Sequence, residues 1–121
     1  MILAVTSWAQ SDALLDIPTA PVRIWMDDRQ TGLTFSNRSD FSITRICLGA
    51  VKVDQGKYIV VSRLSNVVIN PPPLERGQMQ DSPLVRHRHD IERTLKMKAR
   101  YAVVEVEFED GSIWIASAVR R

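Results

Sequence analysis

His87 and His89, two residues apart and followed by Asp90 and Glu92, form the most metal-like cluster in the chain. On an extended segment alternate residues share a face, so both imidazoles would meet one cation, with a carboxylate as third ligand. The chain has only these two histidines, so any further ligands must be carboxylates from elsewhere, and the flanking Arg86 and Arg88 repel a cation. A metal-binding module built on His87 and His89 is therefore the third of three functional readings, and no metal is assigned.

The same region carries a charge stripe. Arg86, Arg88, Arg93, Lys96, Lys98 and Arg100 stand against Asp90 and Glu92, a net +4 over fifteen residues. Such a stripe suits a phosphate backbone, which makes nucleic-acid or polyanion binding through residues 86–100 the second reading. No aromatic residue is interleaved for base stacking. Glu105, Glu107 and Glu109 offer charge of opposite sign within the chain, so a solvated or internally paired segment is the simpler account.

Other reactive side chains are sparse. Cys47 is the single cysteine and sits in the apolar run Ile46-Cys-Leu-Gly-Ala-Val51, which excludes an intramolecular disulfide and suits a buried thiol. There is no Gly-rich phosphate loop, no G-x-S-x-G elbow and no H-E-x-x-H helix, and the acidic pair Asp27-Asp28 falls in a turn. The expectation is a protein that is not an enzyme, with no catalytic residue and no cofactor.

The elements that must position these groups are mostly strands. In Tyr101–Ala118, Asp110-Gly111 reads as a two-residue hairpin turn, placing Phe108 opposite Ile113, Glu107 opposite Trp114 and Val106 opposite Ile115. Val104, Val106, Phe108, Ile113 and Ile115 would then face inward and the glutamates outward, with Trp114 among them. There Trp114 either covers a neighbouring segment or serves as an exposed contact.

Val22–Met26 alternates Val22, Ile24 and Met26 with Arg23 and Trp25, and Leu33–Asn37 forms a second strand with Leu33 and Phe35 inward. Asn37-Arg-Ser-Asp40 is turn chemistry, and its match to the N-glycosylation pattern needs no sugar to explain it. Phe41–Val53 and Lys57–Leu64 make a long hairpin. With Gln55-Gly56 at the tip, Val53 faces Tyr58 and Val51 faces Val60; a three-residue loop would move the register by one. Gly49 marks a bulge or a crossing. Asn66–Asn70 reads as a short strand ended by Pro71-Pro72-Pro73, and a further short strand follows around Gln78. The segment after Asp90 reads either as one short helix near 90–98, capped by Asp90 with Ile91 and Leu95 on its apolar face, or as a loop running into a strand that begins near Ala99.

The chain has 121 residues, 45% of them hydrophobic and 25% charged, with a net charge of +2, which suits one globular domain. No run approaches the roughly 20 apolar residues of a membrane span. Met1–Gln10 resembles the end of a secretory signal, with Ser7-Trp8-Ala9 before a cleavage point at Gln10, although the basic leading region is missing. The expected division is a signal remnant or flexible lead-in over 1–21 and a single domain over 22–121. Location is secreted or periplasmic, with cytoplasmic as the alternative.

FSNRSDFSITRICLGAV, PPPLERGQ and VEVEFEDGSIW together resemble small immunoglobulin-like β-sandwich modules of secreted bacterial proteins. The carrying positions are Phe35, Asn37 and Ser39, then Leu74 and Gly77, then Phe108, Asp110, Gly111, Ser112 and Trp114. The resemblance implies surface modules, many without assigned activity. Strand spacing and the absence of βαβ alternation lead separately to an all-β, antiparallel sandwich of about seven strands. The first functional reading is a non-catalytic, exported binding or structural module that contacts a macromolecule, most simply a protein, through Trp114 and Trp25. Oligomeric state is not readable from the sequence.

Overall fold

Eight strands and one helix organise residues 13–27, 29 and 31–116, the part of the chain described by the computed structural model. They are β1 (Leu14–Leu15), β2 (Val22–Met26), β3 (Gly32–Asn37), β4 (Ile43–Asp54), β5 (Lys57–Val68), β6 (Met79–Pro83), α1 (Leu84–Lys96), β7 (Arg100–Phe108) and β8 (Ile113–Ile115). The signal-like residues Met1–Gln10 lie outside the described residues.

The long hairpin forms as its turn chemistry requires. Gln55 and Gly56 take positive φ of 53° and 77°, the backbone of a two-residue type I′ turn. Asp54 therefore faces Lys57, Val53 faces Tyr58 and Val51 faces Val60. The register shifts twice further along, once beside Gly49. A Cβ at Gly49 would collide with the Ser62 carbonyl oxygen, so the close strand crossing needs glycine there. β5 runs on through Asn66 to Val68 as one strand, where a break and a separate short strand were expected.

Two sheets result. In the larger, the strand order is β1-β7-β4-β5, and β8 pairs with β7 on the edge that β1 also uses. β1 lies parallel to β7, and the other pairings are antiparallel. The smaller sheet has the order β2-β3-β6, and β6 leads directly into α1. The fold is an all-β sandwich with one short helix, as the strand pattern predicts.

Between the layers lie Val22, Ile24, Leu33 and Phe35 from the smaller sheet, Ile43, Ile46, Leu48, Tyr101, Val103 and Val106 from the larger, and Leu84 and Ile91 from α1. Each fully buried aliphatic or aromatic side chain contributes about 1.5–3 kcal/mol. A second cluster gathers Cys47, Val51, Ala102, Val104 and Ala116 with Ile17 and Ala20. Residues 13–21 thus pack into the fold, with Leu14-Leu15 as a short strand.

Two expectations need correction. The last hairpin closes through three residues, Glu109-Asp110-Gly111: the Phe108 amide donates to the Ser112 carbonyl at 2.9 Å, and Gly111 has φ 90°. Two bonds to Asp110 Oδ1 stabilise this wider loop, from the Ser112 amide at 2.9 Å and the Ser112 hydroxyl at 2.6 Å. The Glu109 amide is drawn to the Ser42 carbonyl. Glu107 therefore faces Ile113, Val106 faces Trp114 and Glu105 faces Ile115. Ile113 and Ile115 turn outward beside the glutamates, and Trp114 leaves that face.

The helix, expected near 90–98 with Asp90 as its cap, instead spans Leu84–Lys96 and begins after Pro83. Its buried face is Leu84, His87, Ile91 and Thr94. A buried histidine supplies the turn that a polar reading of residues 86–90 misses.

Candidate functional site

Trp114 opens onto a groove of about 480 Å³, lined chiefly by Pro18, Pro21, Phe41, Phe108 and Trp114, with Arg38 and Asp110 among the polar contributors. Three segments far apart in sequence build it.

The turn after β3 sets Phe41 in place. Asn37 is fully buried. Its Nδ2 donates to the carbonyls of Phe41 and Leu74, each at 2.8 Å, and its Oδ1 accepts from the Ser39 amide and hydroxyl. Every capacity of the amide side chain is used, which accounts for asparagine at this position without a glycan. Phe41 stands 64% exposed at the end of that turn. Its ring meets Phe108 edge to face, with centroids 6.0 Å apart.

Arg38 fixes the opposite wall. Its Nε donates to the Ala20 carbonyl at 2.8 Å, Nη2 to the Ile17 carbonyl at 2.6 Å, and the guanidinium also pairs with Asp16 at 3.0 Å. The Arg38 amide adds a bond to the Pro21 carbonyl. The proline segment is thereby held beside the aromatic rings by one side chain and one backbone amide.

The third component is the three-residue loop. By shifting β8 one residue it aims Trp114 to the Val106 side, where the ring is half-buried and packs against both core clusters. At the rim, hydrogen bonds from Ser112 hold the Asp110 carboxyl below its usual pKa, so it is anionic at neutral pH. Such a surface, apolar and aromatic with fixed polar edges, is suited to receive apolar side chains or an extended segment.

Trp25 does not line this groove. It lies on β2 opposite Thr34, with the Arg23 guanidinium 4.5 Å from its ring centroid, and is half-buried. The structure places the two tryptophans apart and brings Phe41, Phe108 and Arg38 to Trp114 instead. No local signal in the sequence marks Phe41 as exposed, because its position depends on Asn37 reaching Leu74, 37 residues away.

The histidine pair does not assemble. On a helix, residues two apart point roughly 200° apart, and here His87 is buried while His89 is exposed. His87 Nε2 lies 2.7 Å from the Ser82 hydroxyl, and Nδ1 lies 2.8 Å from the Tyr101 hydroxyl. Tyr101 in turn lies 2.9 Å from the Ser65 hydroxyl. Burial pushes the His87 pKa down and the Tyr101 pKa up, so both are neutral. Among the described residues no group of three or more His, Cys, Asp or Glu side chains is placed to hold a metal ion. Cys47 is buried and free.

The basic segment is not paired with the glutamates of β7. Glu105 and Glu107 are taken by Arg45, at 2.6 and 2.9 Å, and Glu105 also by Arg63 at 2.6 Å. These carboxylates raise the Arg45 pKa further. Arg86, Arg88, Arg93 and Lys96 are exposed on α1, and Lys98 and Arg100 follow it. No helix among the described residues is long and apolar enough to cross a membrane. Compared with protein families, with curated proteins and with solved structures, the chain matches none.

Proposed function

We propose that this protein is a non-catalytic binding module, immunoglobulin-like in character and exported, that receives an apolar or aromatic segment of a partner protein in the groove beside Trp114. The observation that carries this reading is the grouping of Phe41, Phe108, Trp114, Pro18 and Pro21 around about 480 Å³ of accessible space, with Phe41 64% exposed. An aromatic ring left that exposed on a turn fixed by a saturated asparagine is a preorganised contact. The groove's polar groups are committed to holding the walls: Arg38 to Asp16 and two carbonyls, and Asp110 to Ser112. Export rests on the Ser7-Trp8-Ala9 pattern before Gln10.

The test is selection of a random peptide library displayed against the wild type and against Phe41→Ala. The reading expects enriched peptides with apolar or aromatic residues that bind the wild type and lose about tenfold or more in affinity on Phe41→Ala. Equal binding to both proteins would contradict it.

A further inference from the structure

A second cleft, of about 530 Å³, lies where α1 gives way to β7 and is lined by Val51, Lys52, Val53, Lys98, Ala99 and Arg100. It shares no residue with the aromatic groove. Three of its six residues are cations, none is a carboxylate, and all three cationic side chains are exposed. Among the described residues none of the three makes an ion pair.

The backbone at Lys98 is an independent sign. α1 ends in a complete Schellman arrangement, with the Ala99 amide on the Thr94 carbonyl at 3.1 Å and the Lys98 amide on the Leu95 carbonyl at 3.0 Å. The residue that adopts the left-handed conformation in this motif is usually glycine, because a Cβ is disfavoured there. Here it is Lys98, with φ 60°. The chain bears that backbone cost at a lysine that lines the cleft.

We propose that this cleft binds a phosphate ester, with Lys52, Lys98 and Arg100 as its cationic ligands. Three positive charges match a doubly charged monoester or successive diesters, whereas one carboxylate would leave most of the charge unneutralised. The Arg100 fork suits two phosphate oxygens at once, and the ammoniums act as point charges. Arg93 and Lys96 in the last turn of α1 extend the positive field. No aromatic residue lines the cleft, so nothing would stack on a base, and binding would be indifferent to sequence and sensitive to salt. A small sugar phosphate and a nucleic-acid strand share this chemistry.

The experiment is an NMR titration at low salt with ribose 5-phosphate and, separately, with a short single-stranded oligonucleotide. It uses the wild type, Lys98→Gly, the triple variant Lys52→Gln/Lys98→Gln/Arg100→Gln, and Arg76→Gln as a charge control away from the cleft. The expected result is shifts confined to 51–53 and 98–100 for at least one ligand. Lys98→Gly should then weaken binding about tenfold, the triple variant should abolish it and Arg76→Gln should leave it nearly unchanged. Lys98→Gly keeps the helix end it replaces, so its loss of binding would not be loss of fold. Saturable binding of the sugar phosphate identifies a small ester as ligand. Binding of the oligonucleotide alone, with a log–log salt slope of about −2 for three neutralised phosphates, identifies a strand. Absence of shifts with both ligands, unaltered binding by the triple variant, or equal weakening by Arg76→Gln would overturn the proposal.

Discussion

The Tyr101 hydroxyl lies 2.8 Å from His87 Nδ1, and together with the Ser82 contact at Nε2 it ties α1 to both sheets. Ser82 on β6, His87 on α1, Tyr101 on β7 and Ser65 on β5 form a chain of three hydrogen bonds. A neutral imidazole suits it: one ring nitrogen accepts, the other donates, and each link carries one proton whichever way the chain runs. A second imidazole proton makes both ring nitrogens donors and forces a terminal serine hydroxyl to turn its own proton out of the chain.

A pH dependence follows. Burial is the main cause that lowers the His87 pKa from its usual 6.5, countered in part by Asp90 and reinforced by Arg86. The unfolded chain therefore takes up the proton first as pH falls, so stability is full above about pH 6.5 and declines as pH drops through that value. Thermal unfolding of the wild type between pH 7.5 and 5, chosen to span roughly the histidine range, should show this decline. His87→Gln should show less of it.

Removing the tyrosine hydroxyl isolates the network from the packing. Tyr101→Phe keeps the buried ring and leaves His87 and Ser65 short of a partner, a cost of about 1–3 kcal/mol in chemical denaturation.

At Lys98 the sign reverses. Lys98→Gly relieves a left-handed residue with φ 60° and should stabilise the protein by about 1 kcal/mol. The same substitution is expected to weaken phosphate binding, so stability and ligand affinity should move in opposite directions.

Asn37→Ala tests the scaffold of the aromatic groove. It leaves the Phe41 and Leu74 carbonyls without the Nδ2 donor and should cost about 2–3 kcal/mol.

What was legible in the sequence follows from whether side-chain and backbone preferences agree. At Gln55-Gly56 they do: positive φ at both positions and the Val53–Tyr58 and Val51–Val60 pairs select one register. Asp110-Gly111 is ambiguous, because glycine serves a two-residue turn and the left-handed end of a three-residue loop equally well. The local Asp110–Ser112 bonds and the Glu109 bond to Ser42 decide it, and the last depends on tertiary placement. That single residue of slip moves Trp114 from the glutamate face to the groove. α1 was only half legible because His87 reads as polar while the fold uses it as an interior residue. The groove itself is assembled by Arg38 and Asn37 across long separations in sequence, beyond any local pattern.

The most direct measurement is an NMR titration of the wild type and Phe41→Ala with a library-selected peptide, following the Trp114 indole and the amides of 38–41 and 108–114. The account predicts saturable shifts confined to these signals, little changed by salt and lost in Phe41→Ala. Shifts that fall elsewhere, or that persist in Phe41→Ala, would contradict the groove as the binding site.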